Sequence, residues 1–343
     1  MAFHESRTTS SISNSNGPWS NSHDADKYAE AAARFGFADD HEPAGARRTG
    51  GKSAKKPPTA RTDSVVQQLA AGGDSLDDRF EISYHPARYE AVWLKDSLRP
   101  FAERAILKDV LALVKGGKEA NVYLCESEPA TGHGLIAAKV YRPRQFRNLR
   151  NDKMYREGRE LLDSRGMPIK DRDSRPMRAI KNKSAFGQQL IHGSWLMHEY
   201  FTLENLSKLG LPVPKPISAG ENALLMHYVG NRHQPAPLLH AVALETREAQ
   251  PLFDEVMHCV ETMLAHGMIH GDLSAYNILY WQGRITLIDF PQVTFAESNS
   301  KAYPILRRDV QRVCDYFAQQ GVQADPAAIT DRLWLKHVRL PIP

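Results

Sequence analysis

Cysteine is scarce: Cys125, Cys259 and Cys314 are scattered through 343 residues without metal-ligand spacing, so they read as lone thiols, in the core or at the surface, of a protein kept in a reducing compartment. No apolar run approaches the roughly 18 residues a bilayer-spanning helix needs. The stretch from Met1 to Ser6 lacks the apolar core of a secretory leader. The expectation is a soluble, cytoplasmic protein with no membrane partner. A Walker-type phosphate loop is missing as well. Gly50-Gly51-Lys52-Ser53 matches only its end, with Ala46 where the first glycine belongs and no strand before it.

What is present suffices for two lobes around a cleft, with 42% apolar residues. Residues 1–74 are rich in Ser, Asn, Gly, Ala and charge and have no sustained apolar periodicity, so they are read as a disordered tail, and 75–343 as the folded domain. The tail's basic run from Arg47 to Arg61 is read as solvated, with polyanion contact as the alternative. The net charge of +4 is unevenly placed: 14 Lys or Arg against 6 Asp or Glu between Arg142 and Lys183 give a surplus of 8 and leave the rest at −4. Such a patch suits a polyanion.

Leu94, Leu98, Phe101, Ala102 and Ala105 have helical spacing, and Pro100 is expected to separate helical pieces. Two strands follow, joined at Lys115-Gly116-Gly117-Lys118-Glu119. A glycine pair there lets backbone amides approach phosphate. Gly116, Gly117, Lys118, Glu119 and, on the second strand, Val122 are the candidate nucleotide contacts. Lys139 stands alone in the apolar strand Leu135 to Tyr141, where burial without an anionic partner would be costly. Nucleotide phosphates and a helix glutamate would supply one. Ser194 is read as the cap of a helix carrying Glu199, about one turn in, as that glutamate, and stopped by Gly210 and Pro212. The apolar run Ala223 to Met226 then leads through His227, Tyr228 and Val229 to Gly230, as a hinge between lobes (about 75–229 and 230–343). Met226 is placed behind a base and His227 to Val229 against its edge. Pro251 is expected to open the central buried helix of the second lobe, closed by Gly267.

His270-Gly271-Asp272 and Asn277, followed by Asp289 17 residues after Asp272, carry the chemistry. Phosphoryl transfer needs one carboxylate to take or orient a proton, here Asp272, and an amide and a second carboxylate to hold a divalent cation, here Asn277 and Asp289. Ile288, beside Asp289, is placed against the nucleotide. Asp309 is read as an exposed helix residue, with bracing of the catalytic loop as the alternative.

These motifs resemble the RIO family of atypical protein kinases, its first subfamily more than its second, over roughly residues 80–320. Gly117 to Tyr123 resembles its phosphate-binding loop, Lys139 its phosphate lysine, Glu199 that lysine's partner, Asp272 its catalytic aspartate, and Asn277 and Asp289 its metal ligands. Lys115-Gly116-Gly117 stands where the family usually has Ser-Thr-Gly. Phe290-Pro291 is similar to the second subfamily. The resemblance implies an α+β, two-lobed protein-kinase-like fold with a small β-rich first lobe and a mainly helical second lobe. Only 54 residues follow Asp289, without an Ala-Pro-Glu motif, so the fold is expected to be truncated after the metal-binding loop. It also implies ATP, with Mg²⁺ or Mn²⁺, and a Ser/Thr kinase or ATPase acting as a switch, a phosphoaspartate forming on Asp289. RNA or a ribosomal particle is the expected partner of the 142–183 stretch. The alternatives are a small-molecule phosphotransferase, since the loop also resembles aminoglycoside and choline kinases, and an ATP-gated RNA-binding factor.

Overall fold

The computed structural model describes residues 80–338 apart from 81, 87, 118, 143–159, 164, 171–173 and 183. The expected tail, Lys118 and much of the basic stretch, including Arg144, Arg147 and Arg150, lie outside the described residues.

Helix α1 (Arg88–Glu103) buries Leu94, Leu98 and Phe101, which the helical repeat places on one stripe. Pro100 lies inside this helix rather than between two pieces. The carbonyl it leaves without a backbone donor is that of Asp96, and both residues are on the exposed side, where water replaces the lost bond. The chain then turns through Ala105 at φ 51°.

Strands β1 (Leu107–Lys115), β2 (Ala120–Ser127), β3 (Leu135–Tyr141), β4 (Pro216–Ala219) and β5 (Ala223–His227) form one antiparallel sheet in the order β1-β2-β3-β5-β4. The two-residue repeat of a strand sorts its side chains between two cores. Ile136, Ala138 and Val140 of β3, with Ala223 and Leu225 of β5, join Leu94, Leu98 and Phe101 of α1 on one face. Ala137, Leu224 and Met226 belong to the opposite face and are continuous with the core of the second lobe. Lys139 is thereby assigned to the face that looks toward the rest of the molecule.

Helix α2 (Ser174–Lys181) precedes α3 (Ala185–Lys208), which is capped by Ser184, whose hydroxyl accepts from the Gly187 N–H at 3.1 Å. Ser194 is not the cap. It is buried inside α3, and its hydroxyl accepts from the Leu162 N–H at 2.9 Å. The serine nearer the true start wins because α3 is ten residues longer than its apolar pattern suggests. Glu199 therefore lies in the middle of the helix, about four turns from its start.

The second lobe is built on α4 (Thr246–Ala265), β6 (Met268–Ile269), the hairpin β7 (Ile278–Trp281) and β8 (Arg284–Leu287), β9 (Thr294–Phe295), α5 (Ala302–Ala318) and α6 (Pro326–His337). Pro251 does not open α4. A reciprocal pair of bonds between Glu245 and Glu248 starts the helix before it, and Pro251 sits on its exposed side, where the carbonyl it leaves unbonded costs little. Val256, Cys259, Val260, Met263 and Leu264 fill the centre of the lobe. The β7–β8 turn takes positive φ at Gln282 (51°) and Gly283 (78°), as a two-residue hairpin loop requires. All three cysteines are buried and free. Among the described residues no helix is long and apolar enough to cross a membrane.

Candidate active site

The face assignment of β3 brings Lys139 against two acids. Its Nζ lies 2.5 Å from Glu199 Oε1 and 2.8 Å from Asp289 Oδ1. Lys139 is 12% exposed and Glu199 2%, whereas Asp289 is 45% exposed. Burial opposes the ammonium, but Asp289 and Glu199 outweigh it and hold the Lys139 pKa well above its ordinary value. Burial likewise opposes ionisation of Asp289, and Lys139 outweighs it, so the Asp289 pKa is lowered. The second oxygen of Glu199 accepts a hydrogen bond from the Tyr141 hydroxyl, whose pKa is raised well above normal by burial and by that carboxylate. Tyr141 follows Lys139 by two residues and so shares its face.

The loop that carries Asp272 leaves β6 at Ile269. His270 is buried, its Nε2–H donates to the Ile288 carbonyl at 3.1 Å, and its Nδ1 accepts from the Asp272 N–H at 3.3 Å. This imidazole ties the loop to the residue before Asp289. Gly271 adopts φ 85°, and a Cβ there would overlap the carbonyl oxygen of Gln292. Only glycine serves both demands. Asn277 ends a single 3₁₀ turn (Ala275–Asn277), and its Nδ2–H donates to the Asp272 carbonyl at 2.8 Å and to Asp272 Oδ2 at 3.3 Å. Asp289 has φ 71°, a left-handed conformation unusual for a residue with a side chain. Ile288 is half-buried beside it, its N–H bonded to the Asn277 carbonyl at 3.0 Å.

At the strand turn, a Cβ on Gly117 would overlap the Ala120 carbonyl, and its N–H donates to Asn121 Oδ1 at 3.3 Å. Arg142 donates to the same oxygen at 3.0 and 3.2 Å, so the first cation of the basic stretch is engaged at the sheet. Glu119 accepts at its carbonyl from Arg142, and Val122 packs against the core shared by the lobes. At the end of β5, Met226 is 9% exposed and the His227 N–H donates to the Lys215 carbonyl at 2.9 Å; in the link that follows, the Val229 carbonyl accepts from the Ala236 N–H at 3.0 Å. The His227 N–H is therefore engaged within the sheet, whereas the Val229 carbonyl keeps a second lone pair. The Tyr228 hydroxyl is buried without a partner, and burial pushes its pKa up to about 12.

Three residues of α5 complete the loop. Asp309 is 1% exposed rather than an exposed helix residue: Oδ2 accepts from the Gly271 N–H at 2.7 Å, and burial raises its pKa despite His270 and Arg308 nearby. It falls within the buried stripe Ile305, Leu306, Val310 and Val313, and an acid in an apolar stripe is the signal that could have placed it. Arg308 donates to the Gly271 carbonyl, and Arg312 Nη1 donates to Asp272 Oδ1 at 2.7 Å. Neither arginine is visible in a motif, because each reaches the loop across the fold.

A five-stranded lobe and a helical lobe, joined by the link after β5 and meeting at Lys139 and Asp289, define a protein-kinase-like fold. The sequence profile of the RIO domain matches residues 121–329, more than half of the chain, and the chain belongs to this family. RIO-type serine/threonine-protein kinase Rio1 of Haloferax volcanii is 32% identical over 216 residues, spanning 62% of this chain and 64% of that protein. Human serine/threonine-protein kinase RIO1 is 26% identical over 223 residues, 64% of this chain but 35% of that protein. The chain thus matches less than two thirds of the length of either relative. The crystal structure of the Rio2 kinase-ADP/Mg²⁺-phosphoaspartate complex from Chaetomium thermophilum shares the fold with a TM-score of 0.51 at 19% identity, over 81% of this chain and 76% of that one.

Proposed function

We propose that this protein transfers the γ-phosphoryl group of ATP, as a RIO-type serine/threonine kinase or ATPase. The observation that carries the reading is the convergence of Lys139, Glu199 and Asp289, which places one ammonium between a buried positioning acid and an exposed acid across the cleft. In this reading Glu199 aims Lys139 at the phosphates, Asp272 orients a hydroxyl or water acceptor and takes its proton, whereas the Asp289 carboxylate would attack without one, and Gly116, Gly117 and Val122 lie over the nucleotide.

The donor set also fits a divalent cation. Among the described residues no group of three or more His, Cys, Asp or Glu converges. Asn277 and Asp289 offer one amide and one carboxylate oxygen, and Mg²⁺ is held in just such sites, by one or two carboxylates with phosphates completing the shell. Mn²⁺, which also takes oxygen ligands, would suit the same pair. When bound, the ion neutralises phosphate charge. Lys139 already shows that the Asp289 carboxylate accepts a cation partner.

The acceptor is the finer question. The Chaetomium Rio2 complex is named for a phosphoaspartate. Asp289, the more exposed of the two acids on Lys139, is the residue proposed to carry one here, as part of an ATP-driven switch. A polyanion, RNA or a ribosomal particle, is the proposed partner of the 142–183 stretch on the strength of its charge. ATP turnover measured with and without RNA, peptide and amino-alcohol acceptors tests the reading, with Asp272→Ala as control. A hydroxylamine-labile phosphate on the protein after a single turnover supports the switch. Label on Ser or Thr alone replaces it with a peptide kinase, and fast transfer to an amino alcohol replaces it with a small-molecule phosphotransferase.

A further inference from the structure

Asp272 has a partner that its own loop does not supply. Arg312 Nη1 lies 2.7 Å from Asp272 Oδ1, with the two side chains 42% and 38% exposed. The other carboxylate oxygen faces Asn277 Nδ2 at 3.3 Å. An ion pair this open to water contributes only about 0–1 kcal/mol to stability, so holding the fold together is a poor account of it. Its position relative to the chemistry is a better one. Two residues after the catalytic aspartate, where phosphotransferase loops often carry a lysine that contacts the transferred phosphate, this chain has Ser274. Gly271 likewise leaves no cation just before Asp272. The loop from His270 to Asn277 therefore contains no Lys or Arg.

Helix α5 brings one from outside. Asp309 and Arg308 fix the helix to both backbone groups of Gly271, and Arg312 lies one turn further on, adjacent to the next residue of the loop. The anchoring is rigid, while the Arg312 side chain is long and half in solvent. A guanidinium presents several N–H donors in a planar fork that matches phosphoryl oxygens and remains charged at any working pH.

We propose that Arg312 is the phosphoryl-binding cation of this site, replacing the lysine that the catalytic loop lacks. The inference rests on the phosphoryl-transfer reading above and deepens it. Without nucleotide the guanidinium rests on Asp272. During transfer to a hydroxyl or water, the acceptor oxygen bonds to the γ-phosphorus as the bond from that phosphorus to the bridging oxygen breaks, and ADP leaves with the electron pair. The acceptor's proton passes to Asp272. Arg312 neither gives nor takes a proton. It donates hydrogen bonds to the non-bridging oxygens, where the charge is spread.

The experiment compares wild type, Arg312→Gln, Arg312→Lys, the double variant Ser274→Lys/Arg312→Gln, and Asp272→Ala. It reads single-turnover ATP cleavage, affinity for a fluorescent ATP analogue and melting temperature. Arg312→Gln is expected to slow cleavage by about 10²-fold or more, the range seen when one donor to a developing charge is removed, with affinity and melting temperature unchanged. Lysine at 312, or at 274 in the double variant, is expected to recover about tenfold or more of the rate. If Arg312→Gln cleaves at the wild-type rate while Asp272→Ala is inactive, Arg312 has no such role and the phosphoryl-transfer reading survives. A slower rate accompanied by a lower melting temperature, with rescue by neither lysine, makes Arg312 a brace for the loop and overturns the proposal. Wild-type release of inorganic phosphate by Asp272→Ala, a step in which water must give up a proton, removes the underlying reading itself.

Discussion

The ammonium of Lys139 lies 2.8 Å from the carboxylate of Asp289, and this contact joins a strand of the first lobe to the loop after β8 in the second. Nucleotide and metal would enter between these two groups. The pair therefore sets what the cleft must give up before it can be loaded.

Lys139→Met is expected to destabilise the fold as well as impair turnover. It strands Glu199, 2% exposed, with the Tyr141 hydroxyl as its remaining side-chain partner among the described residues. Breaking a buried pair from one side costs about 3–5 kcal/mol. Lys139→Met/Glu199→Leu removes both charges and is expected to regain most of that loss in urea unfolding. Additive losses in the double variant would show that Glu199 is not stabilised by Lys139.

The pH dependence of Asp289 has a definite sign. Its carboxyl titrates below the ordinary range because Lys139 outweighs the effect of burial. The folded state thus favours the ionised form, and the resulting stabilisation is fully present above the unfolded pKa, about 3.9, and lost as pH falls through the folded value. The stability gap between wild type and Asp289→Asn should be constant from pH 7 to about 5 and close below about 4. A gap that does not narrow at all between pH 5 and pH 2.5 would exclude the Lys139 contact as its source.

Gly271→Ala is expected to cost about 1–3 kcal/mol and to slow ATP cleavage together with it. The added Cβ meets the Gln292 carbonyl and a backbone held at φ 85°. Relief requires a shift of the loop that carries Asp272. Thermal unfolding and single-turnover cleavage on the same variant measure both effects, and a variant that melts normally would mean that the loop can yield at no cost.

Replacing Arg144, Arg147 and Arg150 with Gln is expected to weaken RNA binding and reduce its salt dependence. For every phosphate no longer neutralised, the slope of log affinity against log salt should become shallower by about 0.7 on a single strand. Binding titrations from 50 to 300 mM salt provide the slope. An unchanged slope removes the polyanion reading of these three residues.

Sequence pattern locates what depends on local order and misses what depends on contacts across the fold. Asp272, Asn277 and Asp289 sit in short motifs, and Lys139 is conspicuous as a charge among apolar neighbours, so all four can be read directly. Helix boundaries are harder because a proline on a water-facing side costs little: Pro100 and Pro251 both lie inside helices that a local rule ends or begins there. Ser194 resembles a cap because the first turns of α3, from Ser184, leave Phe186 exposed and Leu190 and Ile191 half-buried, so the buried stripe becomes regular only after it. Asp309 and Arg312 act on residues 38 and 40 positions earlier, and no window of sequence contains both ends of those contacts.

That separation has a consequence in time. The loop that holds Asp272 is synthesised before the helix that braces it, by 38 residues at Gly271 and Asp309. At about 5–20 residues per second, translation opens a delay of about 2–8 s between them. Throughout it the sheet and the Lys139–Glu199 pair can already form, whereas Gly271 has neither Asp309 on its amide nor Arg308 on its carbonyl. A growing chain therefore completes the contacts around Lys139 and Glu199 first and those around Asp272 last, and a chain released before α5 would lack Arg308, Asp309 and Arg312 at that loop.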